Sequence, residues 1–166
     1  PWLAAWLLHY GLWPLLAASK RWHDGLRQQR HWRAADRERL PVVLGNCRVG
    51  DWNVVELNDA RALEDEGLRM RHCVATRWPD CARGGARIFA MTRAVAGNGE
   101  RATAQFDLAV TRKGRLRYEL HELRGPANAV GAADARAAAR KIESLLNAPE
   151  RQSAIAEASA AAARYR

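Results

Sequence analysis

The stretch of sequence that decides the fold is TAQFDLAVTRKGRLRYELHE, residues 103–122. Apolar and polar residues alternate on both sides of Lys113-Gly114, and this is the period of a strand that buries one face. Gly114 suits the turn between the two halves, because glycine adopts positive φ angles at little cost. The pattern predicts an antiparallel hairpin with three facing apolar pairs: Phe106 with Leu120, Leu108 with Tyr118, and Val110 with Leu116.

The opposite face of this predicted hairpin is polar. The same register sets Gln105 opposite His121 and Asp107 opposite Glu119, and it places Glu122 on the other face of the sheet. Because amide, imidazole and carboxylate groups then share one surface, we expect this face to line a functional site.

Three shorter segments are also strand candidates, namely residues 42–44, 52–57 and 87–93. Glycines lie between the first two, and Pro41 precedes the first. Together with the hairpin, these segments predict a small antiparallel sheet.

A helix is predicted between the second and third of these strands. Asn58 is its expected N-cap, and its buried stripe is Leu63, Gly67, Met70 and Val74. The helix should end near Thr76, before Pro79. This end places His72 in the last turn, where the helix dipole favours a protonated imidazole.

Two helices are predicted after the sheet. The first covers about residues 132–148 and has as its buried stripe Ala135, Ala138, Ile142 and Leu145. Pro149 suits the first position of a last helix. We therefore predict an α+β fold with N-terminal helices, a small antiparallel sheet of three to five strands, and C-terminal helices packed on one face. The expected divisions are an aromatic and basic helical extension, an α+β domain and a C-terminal helix, at residues 1–40, 41–148 and 149–166.

The composition restricts the function classes. The 166 residues include 27 Lys and Arg against 18 Asp and Glu, a formal net charge of +9. This surplus favours an acidic partner, such as nucleic acid. Three cysteines without a CxxC spacing argue against a disulfide framework and a zinc knuckle, and they favour a cytoplasmic location. The sequence contains no phosphate-loop, dinucleotide-binding, HExxH or GxSxG pattern, so no cofactor or metal is expected.

The N-terminal segment, residues 2–39, is expected to be helical, with an aromatic stripe that includes Trp2, Trp6 and Trp13. Its apolar run is interrupted at Pro14 and is shorter than the roughly 20 residues of a spanning helix, so no transmembrane segment is expected. The tryptophans are a candidate contact for a protein partner. Because the chain begins at Pro1 rather than Met, we expect it to be a piece of a longer protein.

Residues 63–74, LEDEGLRMRHCV, contain the pattern EG-x-x-M-x-HCV. Further short matches follow in order: Cys81, Gly84-Gly85, Arg87-Ile88-Phe89, Arg101-Ala102-Thr103 and Arg124-Gly125-Pro126-Ala127-Asn128. On these residues, positions 56–146 resemble the PcfJ-like proteins, a family associated with bacterial mobile elements. The resemblance implies a bacterial cytoplasmic protein of a mobile-element or phage-defence setting, and it does not imply a particular reaction.

The chain departs from that family pattern at three positions. Arg77 stands where the family has an aromatic residue, Gln105 where it has a glutamate, and Glu122 where it has a glutamine. An amide neither accepts nor releases a proton near neutral pH, so Gln105 cannot replace a catalytic glutamate. A retained activity would then have to use Glu122 or leave this position out.

We predict that these residues form one site. Its catalytic candidates are His72, His121, Gln105 and Glu122. The candidates for phosphate or nucleic-acid binding are Arg124, Asn128, Arg77, Arg87, Arg27, Arg30 and Arg33. Ordinary structural roles are the alternatives: a helix cap for His72, a solvated strand face for Gln105 and His121, and a turn residue or N-cap for Asn128.

The leading functional prediction is a nucleic-acid-interacting domain, with RNA or single strands favoured over sequence-read duplex. Catalysis is left open. One alternative is a transferase that uses a nucleotide-type cosubstrate, such as an ADP-ribosyl donor. The other is a non-catalytic adaptor that docks through the tryptophans of the N-terminal segment. The sequence does not define an oligomeric state.

Overall fold

The computed structural model describes residues 39–95 and 98–161, together with residues 13, 14, 16, 17 and 19–21. The chain divides into two compact units, Pro1–Asp36 and Arg37–Arg166. In the first unit the described residues are helical and exposed, and Trp13 is 82% exposed. Several residues with predicted roles lie outside the described residues, namely Trp2, Trp6, Arg27, Arg30 and Arg33.

The second unit is built on a five-stranded antiparallel sheet whose strands lie in sequence order. Its strands are β1 (Cys47–Val49), β2 (Trp52–Glu56), β3 (Ala86–Val95), β4 (Asn98–Val110) and β5 (Leu116–Arg124). Helices α1 (Ala60–Met70) and α2 (Trp78–Ala82) lie between β2 and β3, and α3 (Ala133–Leu146) and α4 (Gln152–Ala161) follow the sheet. The predicted α+β class is confirmed.

Each face of the sheet carries its own apolar cluster. On one face Phe89 and Phe106 pack edge to face, with ring centroids 5.5 Å apart, in a cluster that includes Ile142 of α3 and Ile155 of α4. On the other face Ile88 packs with residues of α1, α2 and the segment between them, namely Leu63, Cys81 and Val74. The C-terminal helices therefore cover one face, as predicted, while α1 and α2 cover part of the other.

The predicted hairpin register is confirmed for the pairs from Phe106–Leu120 to Val110–Leu116, and it is wrong at Gln105. A β-bulge between Gln105 and Phe106 makes His121 the extra residue of β5, so that Gln105 pairs with Glu122. As a result Leu123 returns to the buried cluster, and Glu122 shares the polar face with Gln105. The prediction had placed Glu122 on the opposite face.

The ends of α1 also differ from the prediction. The N-cap is Asp59 rather than Asn58, and its side chain accepts the Ala62 N–H at 2.7 Å. The helix ends at Met70 because Arg71 adopts a left-handed backbone with φ 55°. His72 therefore lies beyond the helix, in the loop before a 3₁₀ turn at Val74–Arg77.

Two smaller predictions are wrong. Residues 42–44 form a loop rather than a strand, because three backbone N–H groups, those of Val43, Leu44 and Gly45, bind the buried carboxylate of Glu56. The second wrong prediction is the place of Leu145 in the buried stripe of α3. Leu145 is 40% exposed, and the last buried residue of this helix is Leu146.

Candidate functional site

The polar face of β4 and β5 carries most of the predicted site. Thr103, Gln105 and Asp107 alternate along β4, and Glu122 and Arg124 are the cross-strand partners of Gln105 and Thr103. The loop after α1 brings His72 to the same face, where its Nε2 atom lies 2.9 Å from the Thr103 hydroxyl. The residues of α1, β4 and β5 therefore meet at one surface.

Gly67 allows this approach of the loop to the helix. A Cβ atom at position 67 would lie 2.9 Å from the backbone carbonyl oxygen of His72, closer than real Cβ atoms come to such an oxygen. The Gly67 carbonyl also accepts the N–H groups of Arg71 and His72. Only glycine leaves room for the chain to turn back against α1 at this point.

Glu66 is linked to His72 through the Thr103 hydroxyl, which contacts both side chains. The sequence analysis did not identify Glu66. Its side chain is 1% exposed, forms an ion pair with Arg101, and accepts the Thr103 hydroxyl at 2.8 Å. The signal for Glu66 was available in the sequence: it precedes Met70 by four residues and therefore lies on the buried side of α1. A carboxylate at such a position needs a cationic partner, and Arg101 provides it.

The partial burial of His72 favours its neutral form. Partial burial lowers the pKa of His72 below its ordinary value, because the imidazolium would lose hydration. The carboxylates of Glu66 and Glu122 oppose this effect without overcoming it. The predicted protonated His72 is wrong, since the imidazole lies past the end of α1 and not in its last turn.

Glu122 is held in place by two neighbours. Gln105 Nε2 donates to one of its carboxylate oxygens at 2.8 Å, and Arg124 Nε donates to the other at 2.7 Å. Arg124 Nη1 also donates to the Asn128 carbonyl at 3.5 Å. Asn128 itself is exposed, has φ 64° in a turn, and does not cap α3, whose N-cap is Ala132.

His121 and Arg77 lie farther along the same face. Arg77 forms ion pairs with Asp107 and Asp80. His121 Nδ1 is 3.4 Å from a carboxylate oxygen of Asp107, and its side chain is 58% exposed. His121 is therefore exposed, whereas Arg77 and His72 are both partly buried.

Arg87 does not belong to this surface. It is 3% exposed, on the opposite face of the sheet, where it donates to the Tyr118 hydroxyl and the Pro41 carbonyl and lies 3.7 Å from Glu56. The predicted phosphate-binding role of Arg87 is therefore wrong. On the polar face itself Arg77, Arg101 and Arg124 are each paired with a carboxylate, so this surface is balanced in charge.

A second surface, the basic cleft, lies between the β4–β5 hairpin, α3 and the start of α4. It encloses about 540 Å³, and its polar lining includes Arg115, Arg117, Arg140, Ser144, Asn147 and Gln152. Glu143 also lines it and pairs with Arg117 and Arg140. The hairpin tip adds Arg112 and Lys113, which are exposed. Within the described part of the chain, Arg112, Lys113 and Arg115 have no carboxylate partner. The sequence analysis missed this cleft, although the run TRKGR at 111–115 indicated it.

Comparisons of the chain with protein-family models, with curated proteins and with solved structures find no match. The resemblance to PcfJ-like proteins therefore stays a prediction. Among the described residues there is no helix of the length and apolarity that a bilayer crossing requires. Nor do residues 39–95 and 98–161 contain a group of three or more His, Cys, Asp or Glu side chains arranged to hold a metal ion.

Proposed function

We propose that this chain interacts with nucleic acid, RNA or single strands in preference to duplex, as part of a bacterial mobile-element or antiphage-defence protein. The observation that carries the proposal is the basic cleft. Three arginines line it, Arg115, Arg117 and Arg140, and the adjoining hairpin tip carries the exposed Arg112 and Lys113. Glu143 pairs with Arg117 and Arg140, and Glu119 also pairs with Arg117. Phosphate groups are the ligands that such a surface favours.

The lining of the cleft favours backbone contacts over base reading. Arg115 has no carboxylate partner among the described residues, so its planar guanidinium is available to a phosphate. Glu143 holds Arg117 and Arg140 in fixed positions, which lowers the entropy lost on binding. The described residues that line the cleft include no aromatic side chain for stacking. We therefore expect affinity to depend on charge and little on sequence.

Arg27, Arg30 and Arg33 belong to the proposal as a second basic segment. They are interleaved with Trp22 and Trp32, a composition that suits phosphate contact combined with base stacking. Their contribution is separable from that of the cleft by substitution.

The test compares two variants that lose the same charge. Arg112→Gln, Lys113→Gln and Arg115→Gln together remove three positive charges beside the cleft. The matched control removes three exposed charges from α1 and its C-cap: Arg61→Gln, Arg69→Gln and Arg71→Gln. Binding to a labelled single-stranded RNA and to its duplex is measured by fluorescence anisotropy with the full chain.

We expect the cleft variant to weaken RNA binding on the order of tenfold or more, since hydrogen bonds to charged groups are worth about 1.5–3 kcal/mol each. The control should change it little. The single strand should bind more tightly than the duplex, because Trp22 and Trp32 would stack on unpaired bases. A third variant, Arg27→Gln with Arg30→Gln and Arg33→Gln, measures the N-terminal contribution. Equal losses in the cleft variant and the α1 control would remove the cleft from the proposal.

The polar face favours a second candidate function, a transferase with a nucleotide-type cosubstrate. The observation is that Gln105 donates a hydrogen bond to Glu122 at 2.8 Å and that the Glu122 carboxylate acts electrostatically on His72. A neutral imidazole beside a carboxylate can exchange protons with a substrate hydroxyl. Titration calorimetry with nicotinamide adenine dinucleotide tests this candidate. We expect saturable binding that Glu122→Gln weakens and that Glu119→Gln, an exposed residue of the same strand, leaves unchanged. A failure of the wild-type chain to bind the dinucleotide would exclude this donor.

A further inference from the structure

Three side chains from separate elements form a continuous hydrogen-bonded chain on the polar face. Glu66 of α1 accepts the hydroxyl of Thr103 at 2.8 Å, and Thr103 Oγ1 lies 2.9 Å from His72 Nε2. Thr103 is fully buried and the Glu66 carboxylate nearly so. The order of donors and acceptors in this chain determines where the proton of His72 lies.

The direction of each hydrogen bond follows from the groups present. Glu66 is paired with Arg101, so its carboxylate is an acceptor and Thr103 must donate its only hydroxyl proton to it. Thr103 Oγ1 can then only accept from His72, which requires a proton on Nε2. On the other side of the ring, Nδ1 accepts the backbone N–H of Val74 at 3.4 Å. Both contacts select the same tautomer.

We infer that His72 is a preorganised proton acceptor whose reactive atom is Nδ1. Thr103 and Glu66 are positioning residues that fix its tautomer. The arrangement follows the general logic of a base oriented by a third group. The ligand chemistry that suits it is a substrate hydroxyl group that donates to Nδ1. As the O–H bond breaks and the Nδ1–H bond forms, the imidazole becomes imidazolium and the electron pair stays on the substrate oxygen.

The contact between Nδ1 and the Val74 N–H is long enough to be displaced. At 3.4 Å it lies at the long end of hydrogen-bond distances and is therefore weak. Two carboxylates act on the ring, Glu66 from α1 and Glu122 from β5. Each is paired with an arginine, Arg101 for Glu66 and Arg124 for Glu122. The carboxylates of Glu66 and Glu122 stabilise the imidazolium that forms when Nδ1 takes up a proton.

This inference concerns the polar face and not the basic cleft. Its test reads the ring nitrogens directly and requires no nucleic acid, so it can fail while the proposed nucleic-acid binding stands. The proposed nucleic-acid binding can likewise fail while this inference stands.

The test is a long-range ¹H–¹⁵N NMR spectrum of the full chain, with His72→Gln used to assign the ring. In the wild type we expect Nε2 to resonate as a protonated nitrogen and Nδ1 as an unprotonated one. On acidification the Nδ1 resonance should shift most, because Nδ1 is the atom that takes up the proton. Thr103→Val keeps the volume but removes the hydroxyl, and it leaves only the long Val74 contact to hold the ring. Because that contact is weak, the ring should populate both tautomers and the two nitrogen shifts should converge.

Two further variants complete the test. Thr103→Ser restores the hydroxyl and should restore the wild-type shifts, whereas Thr111→Val, at the far end of the same hairpin, should leave them unchanged. A wild-type ring protonated on Nδ1 would overturn the inference, and this reading does not depend on any variant folding. Wild-type shifts in Thr103→Val, or mixed tautomers in Thr103→Ser, would also overturn it.

Discussion

The imidazole of His72 and the hydroxyl of Thr103 are 31 residues apart in the chain and 2.9 Å apart in the folded protein. This single contact joins the loop after α1 to strand β4. The contact depends on Gly67, which leaves room for the loop beside α1, and on Glu66, which accepts the Thr103 hydroxyl. The first predictions concern these supports.

Gly67→Ala should destabilise the protein and move His72 away from Thr103. Alanine favours a helix over glycine by about 0.5–1 kcal/mol, but its Cβ would lie 2.9 Å from the His72 carbonyl oxygen. We expect the steric cost, about 1–3 kcal/mol, to be the larger effect. Urea unfolding measures the free-energy change. The control is Gly85→Ala, where a Cβ has its nearest neighbour at 3.5 Å; a similar loss there would contradict this explanation.

Removing the buried carboxylate of Glu66 should cost far more than removing an exposed one. Glu66→Ala leaves Arg101 and Thr103 without their partner, and breaking a buried ion pair typically costs about 3–5 kcal/mol. The comparison is Glu119→Ala, whose side chain is 54% exposed in its pair with Arg117, and here we expect a loss of at most about 1 kcal/mol. Thermal and urea unfolding report both values. Equal losses of unfolding free energy in the two variants would show that the hydrogen bonds linking Glu66, Thr103 and His72 do not stabilise the fold.

Stability should depend on pH through His72. Burial lowers its pKa in the folded protein below the ordinary value of 6.5, so the unfolded chain takes up a proton more readily. The stabilising contribution is therefore complete above pH 6.5 and is lost as the pH falls from 6.5 toward the lower folded pKa. Urea unfolding measured between neutral and mildly acidic pH should show this loss.

His72→Gln should remove that part of the pH dependence. His121→Gln is the matched control, because it removes an exposed imidazole from the same face and leaves His72 in place. A wild type with no loss of stability below pH 6.5, or a loss that His72→Gln retains, would contradict the lowered pKa.

The three cysteines should differ in their reactivity toward Ellman's reagent. Cys73 is exposed, Cys47 is partly buried and Cys81 is buried. Burial raises the pKa of Cys81 to about 12, so its thiol stays protonated near pH 8, and it also raises the pKa of Cys47. We expect one fast equivalent that Cys73→Ser abolishes, and reaction of Cys81 only on unfolding. A fast phase that remains in Cys73→Ser would be inconsistent with this order.

Much of the fold was predictable because its signals are local and periodic. The alternation in residues 103–122 gave the register of the hairpin from Phe106 onward. The i, i+4 spacing of Leu63 and Gly67 identified the buried side of α1. Both patterns follow directly from the geometry of strands and helices.

The errors arose where the backbone departs from regular geometry. Leu120 and Leu123 are separated by an odd number of positions in one strand, and this spacing was the sequence signal of the bulge at His121. The left-handed Arg71 carried no such signal, since the residues that usually mark this kind of helix end are glycine and asparagine. The end of α1, and with it the position of His72, was therefore misjudged.

The most direct test of the proposed nucleic-acid binding is the salt dependence of single-stranded RNA affinity. The logarithm of the association constant should fall steeply with the logarithm of salt concentration, by about 0.7 per phosphate contacted. Replacing Arg112, Lys113 and Arg115 with glutamine should make this slope shallower by about 2, whereas the α1 control variant should keep the wild-type slope. An affinity that salt does not change, or a slope that the cleft substitutions leave intact, would contradict the account.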